Sequence, residues 1–426
     1  MKALKKVLLG VLSVACLVTA SVGLTACSGG TTQEQKGTDG LIYSLLSDGT
    51  YAVSKGTTMY LEEIVIPSTY NGKAVTVVAD NAFSGAKVKS ITIPDSVTSI
   101  GEYAFVNCSS LTSVVIPDSV TSIGENAFEN CSSLMSVVIS DGVTSIGKQA
   151  FFSCTSLTSI EIPDSVMNIG EYAFYNCSSL SYNVKGGLNY LGNSNNPYIY
   201  LAGCVDTSVT SVEIDGACRF VGLFAFWCCT SLKSVVVGDS VTSIGEAAFY
   251  NCSNLTSIVI PDSVTSIDVS TFENCSSLTS IVISNSVTTI YRNAFSGCSS
   301  LTSVVIPDGV TSIGDYAFFD CSSLASIEIP NSIMNIGVSA FLNCSSLKSV
   351  VIGDSVASIG DCAFYSCNSL TNVYYKGSES DWDNVSIDGR GNNYLTDATR
   401  YYYSESQPTE EGLYWHYNKN GEVAVW

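Results

Sequence analysis

A phrase of 23 residues recurs along most of this 426-residue chain, and no other feature limits its fold so tightly. One copy reads Leu111-Thr112-Ser113-Val114-Val115-Ile116-Pro117-Asp118-Ser119-Val120-Thr121-Ser122-Ile123-Gly124-Glu125-Asn126-Ala127-Phe128-Glu129-Asn130-Cys131, and Leu134 starts the next. The opening slot passes through Val88, Leu111, Leu134, Leu157 and Leu180. After a longer step it resumes at Val209 and runs through Leu232, Leu255, Leu278, Leu301, Leu324, Leu347 and Leu370. Leu61 opens an earlier copy with an insertion near Asn71-Gly72. Twelve Phe residues, from Phe83 to Phe364, agree in register. Length alone suggests two or three domains. The repeat overrides that prior, because each unit is one supersecondary element that buries its apolar side only against its neighbours.

Within the phrase, Val114 and Ile116 share one face of a strand, and Ser113 and Val115 share the other. Pro117 ends the strand, since it has no N–H for a ladder. Ile123, Ala127 and Cys131 fall at helical spacing, over too few residues for more than a short helix or 3₁₀ turn. Each coil offers inward slots for Leu, Val, Ile, Val, Ile, Ala, Phe and Cys. About fourteen stacked coils, with strands ~4.8 Å apart, would give a parallel sheet roughly 60 Å long.

The pattern Leu-x-x-Ile-x-Ile-Pro-x-x-Val-x-x-Ile-Gly-x-x-Ala-Phe-x-x-Cys resembles the BspA-like, or treponemal, class of leucine-rich repeats over roughly residues 61 to 372. The resemblance implies an α/β solenoid, a right-handed superhelix of 23-residue coils. Its parallel β-sheet would line the concave face, with short helical or 3₁₀ turns opposite. It also implies a bacterial surface protein that mediates recognition or adhesion, with an extracellular or host protein as partner. The periodicity alone implies only a solenoid.

Lys2, Lys5 and Lys6 precede an apolar stretch from Val7 to Val22, the arrangement of a signal peptide over residues 1–26. Leu24-Thr25-Ala26-Cys27 resembles a bacterial lipobox, in which the Cys receives a diacylglyceryl group and becomes the first mature residue. Residues 27–40 then read as a flexible tether. An ordinary secretory signal ending near a Cys is the alternative. Ser13, Thr19 and Ser21 interrupt the stretch and argue against a spanning helix. Two or more acyl chains would hold the protein on the outer face of a bacterial membrane, its only membrane contact.

Eleven of the 17 Cys occupy one slot, from Cys108 to Cys367. Stacked identical slots point in parallel, so their Cβ atoms do not converge as a disulfide requires. The column reads as small buried hydrophobes. Cys204, Cys218 and Cys228 cluster off it, which leaves one disulfide open there.

Two surfaces present themselves for a ligand. Val236, Val259, Val282 and Val305 occupy one outward strand slot in four successive coils. They form either an apolar recognition strip or a run of good strand formers. The second surface is the break in the repeat. Leu180 to Val209 spans 29 residues, and the irregular coil 181–208 carries Tyr182, Tyr190, Tyr198 and Tyr200. In the next coil Arg219 and Phe220 replace the usual Thr and Ser, and Trp227 follows Phe226. Aromatic residues and Arg at solvent-facing slots are the chemistry of binding hot spots. The alternative is that they pack together to seal the irregular coil. Residues 41–60 and the aromatic-rich segment 373–426 read as caps for the open ends of the stack. Trp382 and Trp415 in that second segment would equally suit stacking on a sugar, so a carbohydrate- or cell-wall-binding role is the runner-up.

Enzyme chemistry finds little footing. The chain has no phosphate-binding loop, no His-Glu-x-x-His and no Gly-x-Ser-x-Gly. Its one histidine, His416, excludes sites needing two. Asp381-Trp382-Asp383 starts like a calcium loop, but Val385 fills a ligand position. No catalytic residue, metal or cofactor is expected. A net charge of −20, from 18 basic and 38 acidic residues, argues against a nucleic-acid partner.

Overall fold

Alternating side chains make Ser113–Ile116 a strand, and Ser136–Ile139 lies parallel to it one coil later, Ser113 opposite Ser136 and Ile116 opposite Ile139. Beyond the Pro117 turn comes a second strand of two residues, Ser122–Ile123, which pairs in parallel with Ser145–Ile146. A regular coil therefore feeds two parallel sheets. The computed structural model describes residues 36–409 and 411–426. The segment 1–26 expected to be a signal peptide, and the expected lipidation site Cys27, lie outside the described residues. Residues 37–426 form one compact unit.

All eight inward slots are buried, as Leu111, Val114, Ile116, Val120, Ile123, Ala127, Phe128 and Cys131 illustrate. The Phe rings stack from coil to coil with centroids 4.9–5.9 Å apart. Two opening residues depart from this: Val209 is half-buried, and Leu61 is exposed, next to the edge strand Glu63–Val65 of its sheet. The cysteines among the described residues are free thiols. In ten coils the thiol donates to the carbonyl of the preceding coil's Phe at 3.1–3.2 Å, for example Cys131 to Phe105. The slot thus takes a small apolar residue that also carries one donor.

The third side of the coil is not helical. Ala127 N–H bonds back to Gly124 O and Cys131 N–H to Phe128 O, as a 3₁₀ turn would. Between them, Asn126, Phe128 and Asn130 donate instead to Lys148, Ala150 and Phe152 of the next coil. Asn126 and Asn130 adopt φ of 55° and 57°, which reverses the chain at each step and prevents a helix. Among the described residues, helical turns occur only at Thr58–Tyr60, Glu379–Trp382 and Asn393–Thr396, toward the two ends.

The irregular coil breaks this pattern with antiparallel strands Asn183–Lys185, Leu188–Leu191 and Tyr200–Cys204, the first pair joined at Gly186-Gly187. Both sheets are interrupted there. The core divides too: one cluster runs to Leu180 and takes in Leu191, Ile199 and Phe220, and the other starts at Leu188, Tyr190 and Leu201.

At one end the hairpin Ile42–Leu45 and Tyr51–Ser54 turns at Asp48-Gly49 and pairs with Lys73–Val78. At the other, Asn372–Tyr375, Thr399–Tyr403 and Tyr414–Tyr417 extend the first sheet in parallel. The strand Val423–Val425 closes it antiparallel.

Candidate functional site

The outward slot of the first sheet forms a column in register. Glu213 pairs with Val236, and Val259 with Val282. The valines at 236, 259, 282 and 305 are 59%, 60%, 60% and 79% exposed, so the apolar strip faces solvent. Val305 protrudes most because its coil drops out of the ladder. At ~4.8 Å per coil the strip is about 14 Å long. Glu213 borders it at one end and Glu328 at the other, both exposed. Glu328 is already engaged, by Lys376 Nζ at 2.7 Å and by the Tyr417 hydroxyl, which donates to it at 2.7 Å. Beside the strip, the hydroxyls of Thr256, Thr279 and Thr302 donate to main-chain carbonyls one coil back at 3.1–3.4 Å. The threonines therefore add little free polarity, and Ser234, Ser257 and Ser280 form the exposed polar margin.

The irregular coil divides its aromatics between the two readings, some packed inward and some exposed. Tyr190 and Phe220 are buried and leave the candidate surface. The Tyr190 hydroxyl accepts from Asp215 N–H at 3.1 Å and its ring meets Tyr198 edge-on at 5.4 Å. Burial pushes the Tyr190 hydroxyl pKa up to about 12. Phe220 is covered because Tyr200 of the insert pairs beside it, whereas the same slot is open in regular coils. Tyr198 and Tyr200 are half-buried, Tyr198 beneath Lys185 and Tyr200 edge-on to Phe174 at 5.4 Å. Arg219 donates to Asp164 O at 3.0 Å and lies over Phe220, so it is tied down. Of the aromatics in this set, Trp227 and Tyr182 are the exposed ones, at 52% and 38%.

Trp227 belongs to an aromatic cluster that the core-slot reading passed over. Tyr172 and Tyr175 precede the insert, and Phe224 and Trp227 hold the equivalent slots after it. Phe224 lies 6.4 Å from Tyr172, 6.0 Å from Tyr175 and 6.2 Å from Trp227. A cleft of about 430 Å³ opens among Tyr175, Gly203, Cys204, Thr207, Phe224 and Trp227. A smaller cavity of about 200 Å³ adjoins it and shares Tyr175 and Phe224. The sequence signal was present as paired aromatics in matching non-core slots on either side of the break. The Cys204 thiol contacts Cys229 of the packing column, and Cys204, Cys218 and Cys228 are all free.

The C-terminal aromatics are largely interior. Trp415 is buried and donates to Tyr375 O at 2.9 Å. Trp382 is buried under the Arg400 guanidinium, 4.4 Å from its ring. His416 stacks on Trp426 at 3.8 Å. Asp381 is held in a capping box with Ser378. Among the described residues no group of three His, Cys, Asp or Glu side chains is placed to hold a metal ion. None of the helices among them is long and apolar enough to cross a membrane.

The BspA-type leucine-rich repeat region matches residues 57–195, 199–323 and 288–384. The chain belongs to that family. A search of curated proteins found no match. Among solved structures, a leucine-rich repeat protein from Bacteroides ovatus is 28% identical over 82% of this chain and 98% of its own, with a TM-score of 0.36. A leucine-rich cell surface protein from Faecalibacterium prausnitzii is 27% identical over 84% and 99%, with a TM-score of 0.28. A leucine-rich repeat protein from Eubacterium ventriosum is 25% identical over 78% and 94%, with a TM-score of 0.42.

Proposed function

We propose that this chain is a bacterial cell-surface protein, lipid-anchored through Cys27, that recognises an extracellular protein through the valine strip. The observation that carries the reading is the strip itself. Val236, Val259 and Val282 stand in solvent on one sheet and Val305 in the next coil, beside threonine hydroxyls that are already satisfied. Contiguous exposed apolar surface of this kind marks interaction sites. The basic n-region, the apolar stretch and Leu24-Thr25-Ala26-Cys27 support export and acylation. Binding rather than catalysis fits a stack of near-identical coils, which repeats its side chains instead of converging them.

The test pairs a panel of extracellular-matrix proteins with a polysaccharide array, using the mature chain. A protein ligand is expected, with affinity falling at least about tenfold in Val259→Asp. That residue is mostly exposed, so melting should move by less than about 0.5 kcal/mol. Binding confined to polysaccharides, or unchanged in Val259→Asp, would refute the reading. Palmitate labelling of cells, lost in Cys27→Ser, tests the anchor separately.

A further inference from the structure

The insert coil supplies strands to the stack but no turn, which leaves one layer missing on the turn side. In regular coils three alternate turn amides donate to the next coil: Gln149, Phe151 and Ser153 bond to Glu171, Ala173 and Tyr175. The equivalent donors one coil on are Tyr172, Phe174 and Asn176, and among the described residues they have no hydrogen-bond acceptor. All three line the cavity beside Tyr200 and Leu223. On the facing coil, Ala225 O takes the Cys204 amide at 3.0 Å, while the carbonyls of Leu223 and Trp227 receive no backbone donor. In the other coils from Asn81 to Asn343 these turn amides are paired with the next coil.

We propose that this slot is a docking site for an extended peptide segment of a partner protein. Such a segment satisfies alternate N–H groups with its own carbonyls, the pairing that the molecule uses between its regular coils. Tyr175, Phe224 and Trp227 then receive its side chains. Charge favours a basic residue at the Tyr172 end. Glu171, Glu246 and Asp268 gather there against Lys148 alone, which pairs with Glu171 at 2.6 Å. A sugar, by contrast, would need polar side chains around an aromatic platform, and Asn176 and Thr207 are the main ones the cleft offers. The slot shares no residue with the valine strip, so either surface can fail without the other.

The test selects binders from a phage-displayed random dodecapeptide library against the full chain. Hydrogen exchange of the 171–177 segment then reports on the slot. In the free protein the amides of Tyr172, Phe174 and Asn176 should exchange fast, unlike those of Asn126, Phe128 and Asn130. Selected peptides should slow them at least about tenfold. Gly203→Leu should plug the cleft, since a Cβ there meets nothing closer than Ala225 O at 3.6 Å and the residue is outside the left-handed region. It should weaken the peptides at least about tenfold while leaving melting unchanged. Trp227→Ala, at an exposed position, provides the same loss by truncation. The proposal is overturned if these amides are already protected in the free chain, or if no peptide is selected. It is overturned as well if peptide affinity ignores both variants, or if only oligosaccharides or a second copy of the chain protect the slot.

Discussion

At the residue scale, environment separates aromatics that the sequence presents alike. Phe220 and Trp227 sit seven positions apart in one coil, and both occupy slots that face solvent in regular coils. The insert covers the first and leaves the second exposed. Phe220→Ala should therefore cost about 3–5 kcal/mol in denaturant unfolding, whereas Trp227→Ala should stay within about 0.5 kcal/mol. The thiol column makes a further prediction. Burial pushes the Cys275 thiol from its ordinary 9.0 up to about 12, and its neighbours move in the same direction. Between those values the unfolded chain loses the proton and the folded chain keeps it, so stability should be full below pH 9 and fall as pH rises toward 12. Melting temperature measured from pH 8 to 11 checks the slope; a flat profile would mean that the column is solvated.

At the scale of the element, the strands were legible and the turns were not. The β-branched run Val114-Val115-Ile116 declares a strand, and Pro117 declares the stop. Ile123, Ala127 and Cys131 share a helical period without a helix, because the coil-to-coil hydrogen bonds outweigh the local ones. Asn126 and Asn130, residue types that tolerate positive φ, were the available hint. The repeat likewise marked the valine column, while the aromatic slot depended on which layer the insert omits, a property of stacking that no single phrase encodes. Close stacking also explains the Gly that follows most short strands, Asp268 and Tyr291 being exceptions. A Cβ on Gly147 would stand 2.6 Å from the Gly124 carbonyl carbon, whereas one on Gly216 would meet nothing within 4 Å. Gly147→Ala should lower stability by about 1–3 kcal/mol and Gly216→Ala should not. Equal melting of the two variants would contradict the stacking.

At the scale of the whole described unit, the insert divides one solenoid into two cores. Solenoid stability is approximately a sum over coils and their nearest-neighbour interfaces. The break therefore limits how far a local defect spreads. Phe272→Ala leaves a cavity in the second cluster and should cost about 3–5 kcal/mol there. Hydrogen exchange should accelerate in coils near Phe249 and Phe295 and remain as in the parent near Phe105 and Phe128. Uniform acceleration across both halves would show a single cooperative core. The sequence located this boundary as a 29-residue step, but the division of the core follows from where the inserted strands lie.

Recognition through the valine strip is the central claim, and methyl NMR of the complex tests it most directly. On titration with the protein ligand, the methyls of Val236, Val259, Val282 and Val305 should shift and broaden together, while those of buried Val264 and Val287 stay nearly fixed. Shifts confined to other surfaces, with these four methyls unmoved at saturation, would contradict it.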